Sequence, residues 1–191
     1  MEIIPLIARG RINLNFIAMD FENASTKRFS ACSLSLAIVR HNQIVDEFYS
    51  LINPQTPFSW RNIQIHGIHE KDVANAPTFP EIWQHINQFF TPDKLVIAHN
   101  ATFDNSVLKN TLQHYELTAP AYQTLDTLRT SQKFFPELPN HKLNTVANAL
   151  NIELNHHHNA LDDAQACADI LVNQAQQFGA EQIKPFIKMV G

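Results

Sequence analysis

The stretch from Thr78 to Thr127 constrains the fold more than any other part of the chain. Thr78 and Glu81 have the spacing of a helix capping box. Behind them Ile82, Trp83, Ile86, Phe89 and Phe90 continue as the apolar stripe of an amphipathic helix. LVIAH (95–99) is short and uniformly apolar, which reads as a buried strand. Phe103, Val107, Leu108, Leu112 and Tyr115 return to helical spacing, and AYQTLDT (121–127) is a further strand. A chain that alternates in this way lays part of its sheet parallel, joined by right-handed crossovers.

Upstream, Asn15 to Glu22 is nearly continuous in apolar residues, as a central strand covered on both faces must be. SLSLAIVR (33–40), a polar HNQ break and IVDEFYSLI (44–52) read as a hairpin. Downstream the pattern is helical. Leu143, Val146, Ala147 and Leu150 form one apolar face, and Leu161, Ala164, Ala168, Leu171, Ala175 and Phe178 another, with Gly179 as a natural stop. The expectation is an α/β architecture: a mixed five-stranded sheet flanked by helices.

Composition narrows the functional classes. A length of 191 residues with 45% hydrophobic residues suits one domain with a substantial core, and no repeat or linker interrupts it. A net charge of -4 gives no global basic footprint, so a nucleic-acid partner has to be argued from a site. Four glycines are too few, and too scattered, for a P-loop or a GxGxxG turn, which excludes those nucleotide-cofactor enzymes. Cys32 and Cys167 lack metal-ligand spacing and fit a reduced intracellular protein. The opening MEIIPLIARGR has the reverse of a secretory order, and no run is long enough to span a membrane, so the expected location is cytoplasmic.

Three acidic segments remain to be explained. Asp20 and Glu22 end the first strand two positions apart and therefore project to the same side, where they repel unless a cation lies between them. The bland alternative for such a pair is a solvated strand end. Asp104, in VIAHNATFD, lies near the first turn of a helix, a favourable place for any acid. In HHHNALDDAQACADIL, Asp162 and Asp163 point in different directions on a helix, so only one can face the sheet. The three adjacent histidines read equally as a solvated turn.

In order and context, MDFE, AHNATFD and HNALDDA resemble the three exonuclease motifs of the DEDD superfamily. The resemblance is to its His-containing (DEDDh) branch, typified by the proofreading epsilon subunit of DNA polymerase III and including ribonuclease T and oligoribonuclease. IHGIHEKDVANAPTFPEIW and LDTLRTSQKFFPELPNHKLNTVANALNIE are similar to the segments between those motifs, so the resemblance spans nearly the whole chain. It implies a ribonuclease H-like fold and a single exonuclease domain over residues 1–191, with a motif-bearing core at about 14–178. It also implies that Asp20, Glu22, Asp104 and Asp163 are the metal-site carboxylates and His158 the general base. The family's five-residue interval selects His158 over His156 and His157, and Asp163 over Asp162. A tyrosine in place of Asn159 would have indicated the sister branch.

The chemistry asks for such residues independently, because two Mg²⁺ or Mn²⁺ ions about 3.5–4 Å apart can activate water and stabilise both the phosphate and the leaving oxygen. On this reading Asp20 bridges both ions, Glu22 and Asp163 complete the water-activating site, and Asp104 supports the second ion. An imidazole titrates near neutral pH, which suits His158 to accept the water proton. His66, Asn100 and Phe103 are candidate contacts to the 3'-terminal nucleotide; Phe21, Phe103 and His66 have core packing as the alternative explanation. The family continues after its Glu with threonines and often a glycine, whereas Asn23, Ala24 and Ser25 stand here, a departure that bears on substrate preference.

The implied activity is 3'-to-5' release of nucleoside monophosphates from single-stranded DNA. An RNA-trimming exoribonuclease, a non-catalytic module binding nucleic acid or a polymerase, and an integrase-like ribonuclease H relative are the rivals. The last gives no reason for the HNALDDA histidine. The sequence following the last helix is short, so a freestanding or differently tethered enzyme is expected, and both a homodimer and a polymerase partner are compatible with the resemblance.

Overall fold

The computed structural model describes residues 13–154 and 159–191. His156, His157, His158 and the opening segment read above as non-secretory lie outside the described residues. Six strands form one mixed sheet in the order β3-β2-β1-β4-β5-β6. They are β1 (Phe16–Asn23), β2 (Ala31–Arg40), β3 (Gln43–Leu51), β4 (Leu95–Ala98), β5 (Tyr122–Asp126) and β6 (Lys188–Val190). β2 and β3 pair antiparallel as the expected hairpin, β1 pairs antiparallel with β2, and β4 runs parallel to both β1 and β5. The sixth strand was not expected: β6 is three residues long and adds antiparallel to β5, too short for its sequence pattern to announce it.

β1 explains the layering. Ile17, Met19 and Phe21 face one side and pack with Phe79, Ile82, Trp83 and Ile86 of α3 (Phe79–Ile86) and Val107, Leu108 and Leu112 of α4 (Ala101–His114). Phe16 and Ala18 face the other side, against Leu143 and Val146 of α6 (Leu143–Ala149) and the small residues of α7 (Ala160–Phe178). A strand buried on both faces has to be apolar at consecutive positions, as β1 is. The helix expected to run to Phe90 ends at Ile86 and continues as a 3-10 turn over Asn87–Phe89. Its capping box forms as read, with the Thr78 amide donating to Glu81 Oε2 at 2.7 Å.

The short helices α1 (Trp60–His66), α2 (Glu70–Val73), α5 (Thr127–Phe134) and α8 (Ala180–Ile183) carry too little apolar periodicity to be read from sequence. Two of them flank the site. α1 stands beside the end of β1, and α5 starts directly from β5 with Asp126 as its cap, accepting from Leu128 N at 2.9 Å. Among the described residues no helix is long and apolar enough to cross a membrane.

Candidate active site

The carboxyl ends of the parallel strands β1, β4 and β5 open into a cleft of about 710 Å³, the place where α/β sheets characteristically bind ligands. Asp20 and Glu22 enter it from β1, Asp104 from the first turn of α4 and Asp163 from the first turn of α7. One ligand oxygen each from Asp20, Glu22 and Asp163 lie within 4.8 Å of one another. Asp104 is not part of that trio but is tied to the same strand, its Oδ1 accepting from the Phe21 amide at 3.1 Å.

Local sequence explains the convergence. Ala164, Ala166 and Ala168 keep α7 slim, and the Ser35 hydroxyl donates to the Ala160 carbonyl, docking the helix start on β2 beside Asp20. Asn159 caps α7 by accepting from Leu161 N at 3.1 Å. This leaves Asp163 5% exposed and within the trio, while adjacent Asp162 falls outside it. His158 lies outside the described residues.

The electrostatics are dominated by burial and by the mutual repulsion of the acids. Burial, reinforced by Asp104, Glu22 and Asp163, raises the Asp20 carboxyl well above the usual carboxylate range. Burial, then Asp163 and Asp104, raise Glu22 to about 8. Burial raises Asp104 to about 7 against the opposing pull of the Phe21 amide, and Asp126 adds to the rise while Arg28 opposes it. Asp20 Oδ2 is buried with no hydrogen-bond partner. A cluster of acceptor-only oxygens with one oxygen orphaned fits a hard divalent cation, which takes carboxylate ligands and removes the repulsion.

The three expected substrate contacts, His66, Asn100 and Phe103, all line the cleft. His66 accepts from Ile68 N at Nδ1, 3.0 Å, which makes Nε2 the donor to the Asn23 carbonyl at 3.1 Å and ties α1 to β1. Asn100 adopts the left-handed conformation, φ 73°, that Asn tolerates better than most residues, and its amide donates to Asp126 Oδ1 at 2.9 Å. Phe103 packs partly on the core and partly under the Arg28 guanidinium, 4.3 Å from the ring centre. Phe21, by contrast, is core, 2% exposed and packed against Phe79.

Several cleft residues were not singled out from sequence: Asn62, His99, His141 and Lys142. His99 Nε2 donates to the His141 carbonyl at 2.8 Å and Nδ1 meets the Thr127 hydroxyl at 2.9 Å. His141 in turn donates from Nε2 to the Phe135 carbonyl at 2.8 Å, so a fixed wall carries Lys142 to the mouth. The signal available was the position of His99 directly after the LVIA strand; nothing local marked His141 or Lys142.

Comparison with known proteins agrees with this geometry. The family model described as Exonuclease matches residues 17–171, and the chain belongs to that family. Its sequence relatives include PolC-type DNA polymerase III proteins. That of Caldanaerobacter subterraneus subsp. tengcongensis is 32% identical over 186 residues, covering 95% of this chain and 13% of the relative. That of Oceanobacillus iheyensis is 30% identical over 176 residues, covering 91% and 12%. The chain thus spans only a small part of these polymerases. In fold it is similar to Exonuclease X in complex with 5' overhanging duplex DNA, with TM-score 0.74, 22% identity, and 90% of this chain and 98% of that one covered. It is also similar to the nuclease domain of 3'hExo, a DEDDh family member, bound to rAMP, with TM-score 0.73, 20% identity, and 86% and 92% covered.

Proposed function

We propose that residues 1–191 form one cytoplasmic exonuclease domain that hydrolyses the last phosphodiester bond of single-stranded DNA from the 3' end, releasing nucleoside monophosphates. The observation that carries this reading is the convergence of Asp20, Glu22 and Asp163 around a buried, unpartnered Asp20 oxygen at the base of an open cleft. Asp20, Glu22 and Asp163 would hold one divalent cation, and Asp20 and Asp104 a second, either Mg²⁺ or Mn²⁺. When bound, such a pair supplies Lewis-acid activation of water and charge neutralisation at the phosphate. His158 accepts the proton of the attacking water, a role suited to an imidazole near neutral pH. Asn100 and Phe103 face the terminal nucleotide, and His66 holds α1 against the end of β1 so that the cleft wall keeps its shape. Lys142 is the only Lys or Arg among the described residues lining the cleft, and it meets the phosphodiester backbone.

The polymerase relatives support DNA as substrate and a polymerase as partner. A second reading, RNA trimming, is favoured by the neighbour bound to rAMP, a ribonucleotide. The test uses 3'- and 5'-labelled single-stranded DNA and RNA of matched sequence in Mg²⁺, Mn²⁺ and EDTA. The expected result is metal-dependent shortening from the 3' end, faster on DNA, absent in Asp20→Ala, and lowered by about 10²–10⁴-fold in His158→Ala with metal binding retained. Faster cleavage of RNA would replace the substrate, and no cleavage of either would leave a non-catalytic module.

A further inference from the structure

Four buried side-chain oxygens among the described residues have no hydrogen-bond partner, and three of them belong to neighbours of Glu22. Asp20 Oδ2 and Asn23 Oδ1 lie on β1 to either side of it, and Ser33 Oγ lies opposite it on β2. The fourth, Thr111 Oγ1, lies in the last turn of α4. Asp20 Oδ2 and Asn23 Oδ1 add to the surplus of acceptors at the strand end. Ser33 differs, because a hydroxyl can donate.

The pairing of β1 with β2 sets two serines against the two acids: Asp20 is opposite Ser35, and Glu22 is opposite Ser33. Residues directly opposite in an antiparallel pair project to the same face with Cβ atoms about 4.5–5.5 Å apart. That face is the one covered by α7, since the Ser35 hydroxyl donates to the Ala160 carbonyl at the start of the helix. Ser33, two residues earlier on β2, points the same way. It is 0% exposed and its hydroxyl is unmatched. An unmatched buried hydroxyl is destabilising, and alanine would occupy the position without that cost. One serine is therefore committed to docking a helix, and the other is an unused donor beside an acid.

We propose that Ser33 is a positioning residue that donates its hydroxyl hydrogen to one Glu22 oxygen and so turns the other toward a divalent cation. The proposal rests on the cation site described above and extends it one layer outward. The trio within 4.8 Å uses one oxygen from each acid, which leaves the second Glu22 oxygen for Ser33. Carboxylates that hold a metal are ordinarily hydrogen-bonded in turn by a residue behind them. The gap across one strand pair is closed by side-chain rotation alone.

The test is a double-mutant cycle on the full chain, read by calorimetric titration with Mn²⁺ and by melting curves in EDTA. Glu22→Ala alone should weaken Mn²⁺ binding, which checks the site itself. Ser33→Ala should weaken it by about 10–100-fold. The melting temperature of Ser33→Ala in EDTA should equal or exceed that of wild type, because an unmatched hydroxyl is gone. In Glu22→Ala protein, Ser33→Ala should cost little further affinity. Ser33 is a packing residue, and the proposal is overturned while the cation site stands, under any of three results: Ser33→Ala binds Mn²⁺ as wild type does, loses affinity equally with and without the Glu22 carboxylate, or melts lower in EDTA. If Glu22→Ala itself binds Mn²⁺ like wild type, Glu22 is no ligand, and the cation site and the proposal fall together.

Discussion

α7 carries two buried polar clusters that behave oppositely. Gln174 sits about three turns beyond Asp163 on the same helix. It is 0% exposed, as are its partners Thr130 and Ser131 on α5. There the accounting closes: Thr130 Oγ1 donates to Gln174 Oε1 at 2.6 Å and Gln174 Nε2 donates to Ser131 Oγ at 2.9 Å. In the acidic cluster that Asp163 joins it does not close, because Asp20 Oδ2 is buried and finds no hydrogen-bond partner. Matched donors and acceptors in a fully buried layer hold two helices together; an excess of acceptors in the partly buried cluster stores repulsion until something positive arrives. The same helix is thus architecture at its middle and reaction site at its start.

The largest effect separates activity from stability at the acidic end. Asp20→Asn keeps the shape of the side chain but removes a charge and supplies a donor. The expected loss is several kcal/mol of transition-state stabilisation, on the order of a thousandfold or more in kcat. In EDTA the same variant should melt higher than wild type, by roughly 2–4 degrees for each kcal/mol of relieved repulsion. Retained activity, or a lower melting point without metal, would show that the cluster is not a strained cation site.

Gln174→Ala should do the reverse. It leaves Ser131 without its Gln174 partner and Thr130 with only the Thr127 carbonyl at 3.1 Å in a sealed layer, which costs about 2–4 kcal/mol, or roughly 4–16 degrees of melting temperature. Activity per folded molecule should be unchanged at low temperature. If Gln174→Ala lost kcat while keeping its melting point, the two clusters would be coupled and the contrast drawn here would fail.

A smaller effect follows from pH. Glu22 and Asp104 are raised to about 8 and about 7, above their ordinary values of 4.5 and 3.8. A carboxyl raised on folding binds its proton more tightly in the folded state, so its contribution is fully present below the ordinary value and fades as pH climbs through the folded one. Metal-free protein should therefore lose melting temperature as pH rises from the ordinary values near 4.5 to the folded value of about 8. Saturating Mg²⁺ should remove that loss, because the ion favours the ionised acids. Melting curves in EDTA that are flat over the same interval would contradict it.

The contrast also marks what the sequence made legible. The central strands, the long helices and the positions of Asp20, Glu22, Asp104 and Asp163 could be read because buried strands and amphipathic helices impose periodicity, and acids at their ends violate it. Asp163 was separable from Asp162 by helical geometry only to the extent that one of them had to face the sheet; the motif made the choice. β6 escaped because its three residues owe their strand state to pairing with β5, a tertiary cause. α1 escaped for a related reason: its ties run from Ser59, Asn62 and His66 to backbone carbonyls of Asn23 and Ala24, contacts that leave no pattern in either segment. The wall of His99 and His141 is likewise built from ring-to-carbonyl bonds between residues 42 positions apart.

That wall gives the mildest prediction. Lys142 stands exposed at the start of α6, with its amide fixed by Asn140 Oδ1 at 3.1 Å and the preceding carbonyl held by His99. An exposed lysine is usually only solvated, and its loss usually costs nothing. Here the backbone beneath it is pinned on both sides, and it faces four carboxylates across a cleft otherwise without Lys or Arg among the described residues. A lysine that contacts one phosphate should, when replaced by alanine, weaken binding evenly across sequences and lower the salt dependence by about one counterion. Lys142→Ala should therefore raise KM by about threefold to tenfold at low salt with kcat unchanged, and the difference should shrink as salt is added. Lys142→Arg should restore the salt slope. A KM that is unaltered at every salt concentration would return Lys142 to the solvated surface and leave cations as the cleft's only source of positive charge for the phosphate.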